Sequence, residues 1–100
     1  MLDLSEVTAD TFAPLAGSPF AVQPGDGAGG SLSLALVEVE RHAGGAPGRE
    51  GFSLTFEGPR ATLLGQGVQR LAHDRLGELE LFLVPVGVTE TAFRYEAVFG

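Results

Sequence analysis

The stretch that decides the fold is Gly77–Gly87, GELELFLVPVG. Leu79, Leu81 and Leu83 fall at every second position, the period of a strand whose side chains alternate between two faces. Phe82, Val84 and Val86 form the second set, below Glu78 and Glu80 at the start of the segment. The pattern predicts a strand half-solvated at its beginning and buried on both sides at its end. Pro85 has no N–H to give to a ladder, so that end is expected at a sheet edge or a β-bulge.

Working outward, Val68–His73 (VQRLAH) reads as a weaker strand, joined to the first by the hairpin-length connection Asp74-Arg75-Leu76-Gly77. On the other side, Gly87-Val88-Thr89-Glu90 turns the chain into Ala92–Phe99 (AFRYEAVF), which puts Phe93, Tyr95, Ala97 and Phe99 on one face. Phe52–Glu57 alternates cleanly, with Phe52, Leu54 and Phe56 toward a core and Ser53, Thr55 and Glu57 outward; Gly58-Pro59 ends it. Between 61 and 67 the pattern is irregular, and Leu63 and Leu64 are expected to pack as a small plug. In Ser31–Arg41 (SLSLALVEVER), Leu32, Leu34 and Leu36 alternate with small residues. After Leu36 the apolar set becomes Val37 and Val39. A one-residue phase change is what a β-bulge produces, the alternative being a strand buried on both faces around residues 34–37.

Near the N-terminus, Ser5 or Thr8 is placed to cap a short helical turn that Pro14 and Gly17 cut off. Phe12, Leu15 and Phe20 are its anchors on the core, and Pro19 marks the short extended piece after it as edge-like. Pro24–Gly30 and Ala43–Gly51 are glycine-rich connections. Fifteen glycines, six prolines and 44% apolar residues, seven of them Phe, describe many turns around one core. One hundred residues suit a single domain spanning 1–100. The expected fold is all-β: a small antiparallel meander of about six or seven strands, closed into a barrel or folded as a sandwich, with one short N-terminal helical turn.

The formal net charge is -7, with thirteen acidic residues against six basic ones. No basic stripe is present, so nucleic acid is an unfavourable partner, and an anionic membrane surface is disfavoured for the same reason. Absence of cysteine removes disulfide and thiolate chemistry. No secretory signal and no stretch of the roughly 20 apolar residues that span a bilayer is seen, so a soluble, cytoplasmic protein is expected.

Few residues suggest chemistry. His42 and His73 would need Glu40 and Asp74 as further ligands to hold zinc, and nothing in the spacing enforces that; no metal and no cofactor are expected. Glu38/Glu40 and Glu78/Glu80 each share a strand face. A glycosidase pair needs carboxyls about 5 Å apart in a cleft, but a solvated or edge-guarding face explains them as well. Ser53 and His73 lie on segments able to pair, yet no G-x-S-x-G elbow accompanies them. The glycine-rich loops lack the Lys-Ser/Thr of a phosphate loop. Gln66, between Gly65 and Gly67, is expected to tie its loop to a neighbouring strand, the alternative being that it faces a partner.

Phe52-Ser53-Leu54, Phe56, Gly58-Pro59, Gln66-Gly67, His73, Leu76-Gly77, the run Leu81–Gly87 and Tyr95–Phe99, with Phe12, Gly17 and Phe20 before them, carry a resemblance over nearly the whole chain. The sequence resembles a bacterial family of proteins about 100 residues long with no assigned function, whose members are encoded near proteins of the phage-tail-collar type. It departs at Val68, where an aromatic is usual, and at Gly100, where Asn is usual. The resemblance implies a non-enzymatic domain for assembly or interaction, an accessory of tail-like proteins. A protein partner or self-association is expected through edge strands, through Phe82, Val84 and Pro85, or through the Phe93/Tyr95/Phe99 face. The alternative is a small-molecule or glycan-binding barrel with Phe56, Phe82 and Tyr95 lining its mouth.

Overall fold

In a computed structural model the described residues are 7–22, 32–42 and 51–99. Six strands occur there: β1 (Pro19–Val22), β2 (Leu32–His42), β3 (Gly51–Pro59), β4 (Gly67–His73), β5 (Gly77–Val88) and β6 (Ala92–Phe99). A one-turn helix, α1 (Ala9–Phe12), and a 3-10 turn, Ala13–Leu15, precede them. Ser5, Ser31 and most of the two glycine-rich connections, 24–30 and 43–50, lie outside the described residues. Among the described residues no helix is long and apolar enough to cross a membrane.

All the strand pairs are antiparallel, and the order β1-β2-β3-β6-β5-β4 closes on itself as a barrel. This is two three-stranded meanders rather than one. β3 and β4 are consecutive in the chain but stand opposite each other in the ring. Their connection, 60–66, therefore crosses the end of the barrel. Leu64 packs against the core there, and its backbone N–H donates to the Tyr95 hydroxyl at 2.9 Å. Half of the expected plug is thus present: Leu64 turns in, whereas Leu63 is exposed.

At the other end of β3, Phe52 stacks on Phe99 of β6 with ring centroids 4.5 Å apart, and fully buried Phe12 of α1 sits against both rings. The N-terminal segment closes this mouth, and three polar ties hold it. Asp10 pairs with Arg41 of β2. The Gly17 N–H donates to the Leu36 carbonyl at 2.6 Å. Finally, Ser18 bonds to His73 of β4 at 2.8 Å. Gly17 takes φ 89°, a left-handed conformation that suits glycine, to swing the chain from the 3-10 turn into β1. Thr8 is the N-cap, and its N–H donates to the Thr11 hydroxyl at 3.1 Å.

The core is the inner face of each strand: Phe20, Leu34, Leu36, Phe52, Leu54, Phe56, Leu71, Leu79, Leu81, Leu83, Tyr95 and Ala97. The phase change on β2 is a bulge, and so is the site beside Pro85 on β5. On β2, Leu36 pairs with Phe56 and Glu38 with Thr55, so Val37 is the extra residue; it is exposed, and Val39 begins the new inward set. On β5, Pro85 pairs with Tyr95 and Gly87 with Arg94, leaving Val86 extra.

The expected burial of the end of β5 is corrected, and the two proline expectations are resolved. Phe82 and Val86 are not buried: they are 52% and 53% exposed, with Val84 half-buried, because each strand of a closed barrel has one inner face and no second layer covers the other. Pro85 is at a bulge inside the β5–β6 ladder and not at an edge, since closure removes edges. Pro19 keeps part of its edge character, because β1 meets β4 only through Ala21 and Val22.

Candidate functional site

The outer face is where side chains are free to act, and register places them. Val68 of β4 stands directly across from Phe82 of β5. Val84, next outward on β5, pairs with Glu96 of β6, and Val98 is next outward on β6. Val68, Phe82 and Val98 are 61%, 52% and 68% exposed. Three neighbouring strands thus present an apolar row on a face whose backbone is held rigid by ladder bonds. Round the ring from it, across β6 and β3 to β2 on the opposite side of the barrel, the outer face turns acidic. Glu96 pairs with Thr55 and Thr55 with Glu38; Val98 pairs with Ser53 and Ser53 with Glu40. The arginines on this face are engaged: Arg94 donates to Glu57 at 2.9 Å, and Arg70 lies 4.0 Å from Glu80.

The residues expected to act as an interface are divided by the barrel wall. Phe82, Val84 and Pro85 belong to the β5 face described above. Phe93 and Phe99 are half-buried against the core. Tyr95 is fully enclosed, with its ring in the core and its hydroxyl holding the 60–66 crossing, so it contributes nothing to an outer surface. Gln66 is exposed and makes no side-chain hydrogen bond to another described residue; Tyr95 of β6, beyond two intervening strands, anchors the loop that Gln66 was expected to tie. Phe56 and Tyr95 are sealed in the interior and Phe82 points out, so these three do not meet at a barrel mouth.

Both histidines are paired with serines, in a combination the sequence did not disclose. His73 Nδ1 accepts from the Arg75 N–H at 3.0 Å, so Nε2 carries the proton and donates to Ser18 Oγ, which in turn donates to the Leu15 carbonyl. This chain pins the N-terminal segment to the β4–β5 hairpin. Ser53 bonds not to His73 but to His42, at 3.0 Å, and His42 Nδ1 lies 4.0 Å from Glu40. The order acid, imidazole, hydroxyl imitates a nucleophilic relay. However, Ser53 is only 2% exposed and sits between paired strands, where backbone N–H groups serve the ladder and leave no oxyanion donors. The arrangement acts as a cross-strand tie. No group of three or more metal-ligating side chains occurs among the described residues.

A second surface feature is a shallow groove of about 350 Å³ on the outer face of β1–β2–β3. Pro19, Ser33, Ala35, Glu57, Pro59 and Thr91 are among the residues that line it.

Fold and surface together define a small closed antiparallel barrel, plugged at both ends, with an exposed apolar row as its most distinctive outer feature. The family model of a domain of unknown function, DUF6916, matches residues 7–99, and the chain belongs to that family. The match covers all of the described barrel and agrees with the resemblance to an uncharacterised family of about 100 residues. No curated protein and no solved structure matches the chain significantly.

Proposed function

We propose that this domain is a non-enzymatic protein-interaction module, an accessory of tail-collar-type assemblies, that docks through the outer face of β4, β5 and β6. The observation that carries the reading is the Val68–Phe82–Val98 row: large apolar side chains left in water on adjacent strands of an otherwise well-packed domain. Contiguous exposed apolar surface costs solubility and marks interaction sites more often than it occurs by chance. Aromatic anchors such as Phe82 are the side chains that carry most binding energy where partners meet. The tail-collar association rests on the family resemblance in the sequence.

A photo-crosslinking amino acid placed at Phe82, and separately at exposed Ser33 on the far face, tests the reading in the protein's own cells. A discrete protein adduct from position 82 and none from position 33 is expected. No adduct at 82, or equal adducts at both, refutes docking through this face; an adduct that contains no tail-collar-type protein refutes the finer assignment.

The groove beside Pro19 and Pro59 favours a second reading, a small-molecule or glycan binder, since about 350 Å³ is within the range of ligand sites. A thermal-shift screen against sugars and nucleotides checks it, and a flat response removes it.

A further inference from the structure

The groove on β1–β2–β3 is a split in the barrel wall, and Pro59 is its cause. The β2–β3 ladder ends at Ala35–Glu57. Beyond that pair β2 follows β1, with Ser33 opposite Ala21, and β3 follows β6, with Pro59 opposite Ala92. Main-chain groups on an antiparallel strand point alternately to one neighbour and to the other. The Leu36 N–H donates to the Ser18 carbonyl on the β1 side at 3.2 Å. Counting back from it, the groups of Ala35 face β3, those of Leu34 face β1 and those of Ser33 face β3 again. The residue due opposite Ser33 is Pro59, which has no N–H to give. Its carbonyl accepts instead from the Thr62 N–H at 3.2 Å. Ser33 therefore turns an N–H and a C=O into the groove, and neither has a partner among the described residues. Inside the wall, Leu34 Cδ2 lies only 2.5 Å from where a Gly58 Cβ would stand, so the split is closed toward the core.

Resting on the small-molecule reading of this groove, we propose that it binds a neutral amide edge: an N–H and a C=O on the same side of one small molecule, as in a pyrimidine base or a lactam. Such an edge donates to the Ser33 carbonyl and accepts from the Ser33 N–H, the two bonds that Pro59 leaves unmade. Pro19, Ala35, Pro59 and Ala92 offer apolar surface to the rest of the ligand. Glu57 is the only charged residue among the described ones that line the groove, and Arg94 already donates to it at 2.9 Å, so no free charge there draws a cation. Anions meet a molecule of net charge -7. A groove of about 350 Å³ is at the small end of ligand sites, which suits a single ring.

The test titrates uracil and 2-pyrrolidinone, each beside its N-methylated analogue (1,3-dimethyluracil and N-methylpyrrolidinone), into the 15N-labelled protein. Both parent compounds are expected to shift the amides of Ser33, Ala35 and Gly58, with dissociation constants of about 1–10 mM, the strength open to fewer than about ten ligand atoms in an open groove. The methylated analogues keep the ring and lose the donor, so they should bind at least about tenfold more weakly. Tighter binding of uracil assigns the site to planar bases and tighter binding of 2-pyrrolidinone to saturated amides; either supports the proposal. Ser33→Pro removes the N–H without touching a ladder bond, and Ala35→Leu fills the groove; each should weaken binding about tenfold while amide shifts elsewhere in the protein stay in place. Should Ser33→Pro fail to fold, the methylated analogues and Ala35→Leu carry the test. Equal binding of parent and methylated compounds at the groove overturns the amide edge and leaves the small-molecule reading standing. Full affinity in folded Ser33→Pro overturns it as well. If none of the four compounds shifts the groove the proposal falls, and the thermal-shift screen decides separately whether another ligand occupies it.

Discussion

Gly58 is the position where the packing of this barrel can be tested most directly. It is an inward position on β3, two residues beyond fully buried Phe56, and two larger side chains occupy the room in front of it. A Cβ at Gly58 would lie 2.5 Å from Leu34 Cδ2 and 3.3 Å from Tyr95 Cε2. Ordinary contact begins at 3.4 Å, so the Leu34 methyl must retreat by about 0.9 Å. Leu34 and Tyr95 are both completely buried, and a close-packed interior has little slack to give. Gly58→Ala is therefore expected to cost about 1–3 kcal/mol, the range for overpacking. For a domain of this size that lowers Tm by about 4–8 °C per kcal/mol. Urea unfolding should show a lower midpoint with an unchanged slope, since the surface exposed on unfolding stays the same. Gly65→Ala is the control. Nothing lies within 4 Å of its Cβ, and the substitution should be neutral or stabilise by up to about 1 kcal/mol through the unfolded chain. Leu34→Val removes the offending methyl, so in the double variant the cost of Gly58→Ala should shrink, giving a coupling of at least about 0.5 kcal/mol. If Gly58→Ala is as stable as Gly65→Ala, or if Leu34→Val leaves its cost unchanged, the packing argument is wrong.

Two further outcomes follow from the plugs at the barrel ends. Tyr95→Phe removes the acceptor of the Leu64 N–H at 2.9 Å and leaves that group unpaired, so a loss of about 1–2 kcal/mol is expected with faster hydrogen exchange at Leu64; unchanged exchange there would show that the hydroxyl does not hold the crossing. Phe12→Ala takes away a fully buried ring that closes the Phe52/Phe99 mouth and should cost about 3–5 kcal/mol in denaturant melts, whereas a loss under about 1 kcal/mol would mean that the N-terminal segment merely lies on the barrel.

The local features of this protein were legible in its sequence because they depend on residues close together in the chain. The alternation of Leu79, Leu81 and Leu83 sets a strand with those residues inside, the phase change after Leu36 is a bulge at Val37, and Pro85 adjoins a second bulge at Val86. Each follows from a period of two and from a missing N–H. Thr8, Phe12, Leu15 and Phe20 occupy the places their spacing implied for the same reason.

What the chain does with its outer surface depended on pairings between distant segments. No local pattern tells β3 to pair with β6, or β4 with β1, and that choice turns one meander into two and carries 60–66 over the barrel end. The choice also closes the sheet. Closure leaves every strand one inner face, so the apolar run Leu81–Val86 had to place Phe82 in water, although its composition reads as buried throughout. The same closure draws Tyr95 inside as the loop anchor in place of Gln66, and joins Ser53 to His42 and Ser18 to His73. The apolar row likewise exists only through strand pairing, because Val68, Phe82 and Val98 come from three strands. Which residues form strands, and where those strands break, follows from period and backbone chemistry and is written in the chain. Which apolar residues are left outside follows from which strands become neighbours, and that is settled by folding alone.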